Sequence, residues 1–147
     1  DAVQLHGTED GDYIRTLRLM LKPGTEIWKA LRIGGGGMGV MDIFDPVKLV
    51  SLGADRLLLD TFVPGCPGGT GRTFDWGLAV QLKQLTNLPI ILAGGLRPDN
   101  VRQATATVLP YAVDTSSGVE SGGVKDEHKV RAFIEAVRRE DGFEMHN

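Results

Sequence analysis

Leu88-Pro89-Ile90-Ile91-Leu92-Ala93-Gly94-Gly95-Leu96-Arg97-Pro98-Asp99 is the stretch that decides the fold. Its first half, Leu88 to Ala93, is apolar without polar alternation, which suits a strand buried on both faces. Two glycines then break the strand. Pro98 fits the first position of a helix, where its missing N–H costs nothing, and a helical pattern runs from Pro98 to Val108. Strand, glycine turn and helix in this order make half of a parallel β-α-β unit.

The same unit repeats on either side. Candidate strands are Ala2 to Leu5, Glu26 to Ile33, Arg56 to Leu59 and Tyr111 to Asp114. Candidate helices are Asp12 to Leu21, Asp45 to Leu52, Phe74 to Leu85 and Lys125 to Arg138. Ile14, Leu17 and Leu21 share one helical face. So do Val130, Phe133, Ile134 and Val137. In Asp45 to Leu52, Val47, Leu49 and Val50 point inward. Five β-α units of roughly 22 to 33 residues each imply an α/β fold with right-handed crossovers. An open doubly wound sheet and part of a closed (β/α)₈ barrel both fit. Five units cannot close a barrel, which needs eight. The chain also opens on an apolar stretch with no Met. The expectation is therefore a partial TIM barrel, five strands with their helices, occupying residues 1–147 as one domain; the resemblance given below makes them strands four to eight.

Composition narrows the function. The chain has 147 residues, 41% of them hydrophobic, and a net charge of -3. That balance gives no general affinity for nucleic acid or anionic membranes. No apolar run has the length of a transmembrane helix. The one cysteine, Cys66, has no internal disulfide partner, which points to a reducing cytoplasm.

In a parallel sheet all strands end on one side, so the residues after them converge. Those positions hold His6, Asp60, Gly94 with Gly95, and Asp114 followed by Ser116, Ser117 and Gly118. Gly94 and Gly95 let backbone approach a ligand, and the helix that follows offers N–H groups and a positive dipole end, an anion site. Ser116-Ser117-Gly118 adds donors, and Gly118 with the next few residues suits a short extra helix, a recurring barrel phosphate arrangement. Asp60 ends an apolar strand, where desolvation raises a carboxyl pKa and suits it to donate a proton. A turn or capping aspartate is the plainer alternative.

Other features read as structural. Gly34 to Gly37 with Gly39 lacks the spacing of a dinucleotide fingerprint and reads as a mobile loop. Pro64 to Gly71 is a long loop able to fold over a ligand. Cys66 within it lies in no basic setting and is not read as a nucleophile. Thr73 reads as a helix N-cap. Lys29, inside an apolar strand, needs a partner and is read as structural. His128 and His146 are read as solvated. No group of side chains has metal-ligand spacing.

Val3-Gln4-Leu5-His6-Gly7, Leu57-Leu58-Leu59-Asp60 with Gly68-Gly69-Thr70-Gly71 and Phe74-Asp75-Trp76, Leu92-Ala93-Gly94-Gly95-Leu96, and Val113-Asp114 with Ser116-Ser117-Gly118-Val119-Glu120 resemble phosphoribosylanthranilate isomerase. The resemblance implies an Amadori rearrangement of tryptophan biosynthesis, without a cofactor or metal. It implies Asp60 as general acid, His6 and Asp114 as substrate-binding residues, and Gly94, Gly95, Ser116, Ser117 and Gly118 as the phosphate site. It places the base, a cysteine at the end of strand one, outside these residues, so the 147 residues alone are expected to be inactive. The family's early-loop arginine is missing too. Fusion to or association with indole-glycerol-phosphate synthase is a further expectation. The rivals are another phosphosugar barrel isomerase with paired aspartates and a non-catalytic phosphate-binding half-barrel.

Overall fold

The computed structural model describes residues 1–33, 53–61 and 75–138. Five parallel strands form its sheet: β1 (Ala2–Leu5), β2 (Glu26–Ile33), β3 (Arg56–Thr61), β4 (Ile90–Leu92) and β5 (Ala112–Val113). Their spatial order is their chain order. A doubly wound sheet reverses direction at a switch point. This sheet does not, so its winding is single, as in barrel-type folds.

The helices agree. They are α1 (Gly11–Met20), α2 (Trp76–Leu85), α3 (Val101–Val108) and α4 (Glu127–Arg138). Ile14, Leu17 and Leu21 pack with Leu5 and Ile27 of the first two strands. Ala79, Leu82, Val101, Ala104, Val108 and Phe133 pack on Ile33, Leu57, Leu59, Ile90 and Leu92. Alternation sends the intervening residues to the other face. There Trp28, Ala30, Leu58, Ile91, Ala93 and Ala112 form a separate cluster. One face of the sheet thus carries helices, and the other carries a smaller apolar cluster at mid-strand and polar residues towards the strand ends.

Several boundaries move by a few residues. β3 runs through Thr61, so Asp60 is a strand residue, paired in register with Arg32. β4 and β5 are shorter than Leu88–Ala93 and Tyr111–Asp114, although Ala93 N to Leu59 O (2.8 Å) and Asp114 N to Leu92 O (2.9 Å) continue the pairing. Asp75, not Thr73, caps α2, accepting from Gly77 N at 2.8 Å. Helix α3 begins three residues later than expected. The Arg97 carbonyl already accepts Val101 N at 2.9 Å, so Pro98 opens the turn leading into α3 instead of the regular helix. Asp126 starts α4 by accepting from His128 N and Lys129 N. Ile134 is exposed rather than packed, whereas Phe133 is buried.

One element is absent from the sequence reading. Ser117–Val119 is a short 3₁₀ turn, as the extra-helix expectation allowed. Behind it, β6 (Glu120–Ser121) and β7 (Val124–Lys125) form an antiparallel hairpin. Gly122 and Gly123 join them at φ +60 and +80°, the backbone that a two-residue hairpin turn demands. The helix expected at Asp45 to Leu52, the Gly34–Gly39 loop, the Pro64–Gly71 loop, Cys66, Thr73 and His146 lie outside the described residues.

Candidate active site

β1 places Val3 and Leu5 against α1, which turns Gln4 to the opposite face. β3 does the same with Leu58 and Asp60, and β5 with Ala112 and, just beyond it, Asp114. These positions meet at the C-terminal end of the sheet. A pocket of about 110 Å³ there is lined by Gln4, Leu58, Asp60, Asp114 and Thr115, by Ala93 to Gly95, and by Ser116 to Gly118. Asp60, Asp114, the Gly94–Gly95 turn and the Ser116–Gly118 loop, singled out from the sequence, thus share one cavity.

Asp60 is half-buried in it. Desolvation holds its carboxyl above the usual carboxylate range, and the nearby charge of Asp114 pushes the same way. Two effects oppose: Thr61 N donates to Asp60 Oδ1 at 2.8 Å, and Arg32 is a nearby cation. A raised carboxyl pKa beside a second carboxylate favours the protonated form and suits the group to donate a proton.

The two loops are fastened to each other. Thr115 Oγ1 donates to Leu96 O at 2.7 Å. A Cβ on Gly118 would lie 1.8 Å from that same oxygen, so no larger residue fits without the loops parting. Gly94 and Gly95 take φ of +81 and +69°. A Cβ on Gly94 would meet Thr61 N at 2.4 Å, which seats this turn on the end of β3. Asn100 braces the turn from behind. Its Nδ2 donates to Gly95 O at 3.0 Å, and its Oδ1 accepts from Arg97 N at 2.8 Å. The hairpin holds the other loop: Lys125 Nζ donates to Ser116 O at 2.9 Å and to Glu120 Oε1 at 2.7 Å.

The family model for N-(5'phosphoribosyl)anthranilate (PRA) isomerase matches residues 1–136. The chain belongs to that family. The phosphoribosylanthranilate isomerase of Acetivibrio thermocellus is 45% identical over 147 residues, covering 97% of this chain and 63% of that protein. The protein of that name from Pseudomonas fluorescens Pf-5 is 53% identical over 112 residues, covering 76% and 50%. Among solved structures, phosphoribosyl anthranilate isomerase from Thermus thermophilus superposes with a TM-score of 0.72 at 29% identity, over 95% of this chain and 61% of its own. That from Thermotoga maritima gives 0.71 at 33% identity, over 94% and 62%. The chain spans about three fifths of the length of the curated relatives it matches.

Within this isomerase-family segment, His6 follows the end of β1 as expected, but its side chain is exposed and is not among the residues lining the pocket. Gln4 and Thr115 line it and were missed. The signal for Gln4 was present: it is the polar residue between inward-packing Val3 and Leu5. Arg32 was missed for the same reason, as a polar residue in the alternate register of β2. Lys29 lies on the helical face, 5% exposed, bonded to Gly7 O and Glu9 Oε2; it does not reach the pocket. His128 is exposed, as read. Among the described residues no His, Cys, Asp and Glu cluster could hold a metal, and no helix is long and apolar enough to cross a membrane.

Proposed function

We propose that these residues are the last five β-α units of a phosphoribosylanthranilate isomerase barrel, a single domain completed by three further units. In this reading the enzyme converts N-(5-phosphoribosyl)anthranilate to 1-(2-carboxyphenylamino)-1-deoxyribulose 5-phosphate in tryptophan biosynthesis. The observation that carries it is the pocket where Asp60 and Asp114 meet the Gly94–Gly95 turn and the Ser116–Gly118 loop, on a chain whose family match runs through all of them. A related structure holds reduced 1-(o-carboxyphenylamino)-1-deoxyribulose 5-phosphate; it matches with a TM-score of 0.67 at 30% identity. A ligand of that chemistry needs a phosphate site and an acid, and both are at hand.

Asp60, in its protonated form, delivers its proton to the ribose ring oxygen, and the C1–O bond opens to an iminium. Loss of the C2 proton to a base gives the enolamine, which relaxes to the ketone. Backbone N–H groups at Gly94, Gly95, Ser117 and Gly118 and the Ser116 and Ser117 hydroxyls bind the phosphate, with His6 and Asp114 against the rest of the substrate. The base belongs to the first unit, and Cys66 matches no position for it. The segment is therefore inactive by itself. The reaction needs no cofactor, and a reducing cytoplasm suits the lone cysteine.

The paired aspartates also suit other phosphosugar isomerases, but the family match favours the phosphoribosylanthranilate substrate. The test is turnover of N-(5-phosphoribosyl)anthranilate by the full-length protein, wild type against Asp60→Asn. Loss of turnover with retained product-analogue binding supports the reading; turnover near wild type overturns it.

A further inference from the structure

Lys29 is the one buried charged residue among the described side chains, 5% exposed in the middle of β2. A buried ammonium without partners would be strongly unfavourable. Its Nζ finds two, both in the turn that follows the neighbouring strand β1: Gly7 O at 2.8 Å and Glu9 Oε2 at 2.8 Å. Glu9 then turns back on the same residue. Its carboxylate accepts from Gly7 N, at 3.2 Å through Oε1 and 3.0 Å through Oε2. The three residues close a ring: Gly7 N–H donates to Glu9, Lys29 donates to Glu9, and Lys29 donates to Gly7 C=O. Lys29 stands opposite Leu5 in the register of the two strands, so the ring is anchored to the sheet.

The consequence falls on His6. Gly7 N–H belongs to the peptide plane that begins at His6, and Gly7 C=O to the next plane. Pinning both fixes ψ of His6 and both torsions of Gly7. Gly7 is suited to the turn by size, since a Cβ there would lie 2.8 Å from Glu9 Oε1 and push the carboxylate from the ring. The clamp sits wholly on the helical side of the sheet, so neither charge touches the pocket.

We propose that Lys29 and Glu9 are positioning residues that lock the turn after β1 and so present His6 to the substrate. This rests on the substrate reading given under Proposed function. Their effect is on the entropy of the free site: an unpinned His6 must be ordered when substrate binds, which weakens binding more than it slows a proton transfer in which His6 takes no part.

The test uses the full-length isomerase and its substrate N-(5-phosphoribosyl)anthranilate. Glu9→Leu, Lys29→Met and the double variant are compared with His6→Asn and wild type. Each clamp variant should raise KM about tenfold while leaving kcat within about twofold. The double variant should be no worse than either single one, because one interaction is being removed. Glu9→Gln keeps an oxygen where Oε2 meets both Gly7 N–H and Lys29, and should restore most of the loss. The ring resonances of His6 should broaden in the clamp variants and not in Glu9→Gln. If Lys29→Met fails to fold, Glu9→Leu carries the comparison, since Glu9 lies at the edge of the ring. Lower melting temperature with unchanged KM would overturn the positioning role while His6→Asn still raises KM. A raised KM in the clamp variants but not in His6→Asn would overturn the link to His6. If none of the variants moves KM, both the clamp and the substrate role of His6 fall, whatever the outcome at Asp60.

Discussion

Asp114 stands near enough to Asp60 for its charge to push the Asp60 carboxyl upward, adding to the larger effect of desolvation. Both line the pocket at the strand ends. If Asp60 is the general acid, Asp60→Asn in the full-length protein should lower turnover by about 10²-fold or more with little change in product-analogue binding. Removing the neighbouring charge should act in a graded way. Asp114→Asn should lower the pKa of Asp60 and bring the alkaline fall of kcat to a lower pH. A pH–rate profile measures both effects. An alkaline limb that stays put in Asp114→Asn would contradict the coupling.

The same raised pKa has a cost in stability. A group that binds its proton more tightly when folded contributes stability that is complete below its unfolded pKa and is lost as pH rises through the folded one. Above that window the ionised Asp60 is held in a partly desolvated place. Asp60→Asn should therefore melt higher than wild type at neutral pH, with the gain shrinking as pH falls below the ordinary carboxylate range. Thermal melts at neutral and acid pH decide it. A variant both inactive and less stable at neutral pH would mean that the carboxylate is a structural partner instead of an acid.

Gly95 tests the phosphate site. At φ +69° a β-branched residue is strained, and it would stand where backbone is expected to meet phosphate. Gly95→Val should weaken binding of a phosphorylated analogue at least tenfold more than that of its dephosphorylated counterpart. The second ligand controls for strain, which would weaken both. Equal weakening in titration calorimetry would remove the loop from phosphate recognition.

At the opposite end of the sheet Arg56 and Glu26 pair through two hydrogen bonds, Nε to Oε2 at 2.7 Å and Nη2 to Oε1 at 2.6 Å. Trp28 Nε1 adds a third at 2.7 Å, and the guanidinium lies 3.9 Å from the Tyr111 ring centroid. The Arg56 bonds, then that of Trp28, lower the Glu26 carboxyl from an ordinary 4.5 to about 2. A depressed carboxyl contributes stability above its unfolded pKa and loses it as pH falls towards its folded one. Wild type should thus lose stability between about pH 4.5 and pH 2 more steeply than Glu26→Gln. Parallel acid-denaturation curves would contradict this. Barrel residues at the N-terminal rim serve stability, so activity of the variant near neutrality should be unchanged.

The sequence carried the strands well because parallel strands with apolar residues on both faces read as near-continuous apolar runs. Ala2–Leu5 and Glu26–Ile33 coincide with the observed bounds. It could not choose between single and double winding, since helical periodicity does not say on which face of the sheet a helix lies. Asp60, Asp114 and the loops at Gly94 and Ser116 were legible because strand ends converge. Gln4 and Arg32 were not, because they sit inside strands and reveal themselves only by which face their neighbours occupy. The β6–β7 hairpin was overlooked beside the stronger helix signals, although Gly122-Gly123 is itself a hairpin signature. Lys29 was legible as needing a partner, but Gly7 and Glu9 become its partners only once β1 and β2 pair.

The last prediction is that the 147 residues alone do not isomerise the substrate and regain activity with the three units proposed to precede them. Five parallel strands in sequential order have two edges, β1 and β5, and the described helices pack on one face. The other face bears Trp28, Ala30, Leu58, Ile91, Ala93 and Ala112, residues a closed barrel would bury in its interior. Left open, such edges and such a face favour aggregation or pairing with another chain. Chemistry leads to the same expectation. In the proposed reaction a proton must leave C2, and Asp60 would already hold the acid's role at the other end of the step. A segment carrying the first three units would close the sheet and bring the base in one association. The measurement is a fluorescence turnover assay on the purified 147-residue chain, alone and after co-refolding with that segment. Activity should be absent in the first case and recovered in the second. Robust turnover by the chain alone, persisting in Cys66→Ser, would place the base within these residues and overturn the proposal of three further units.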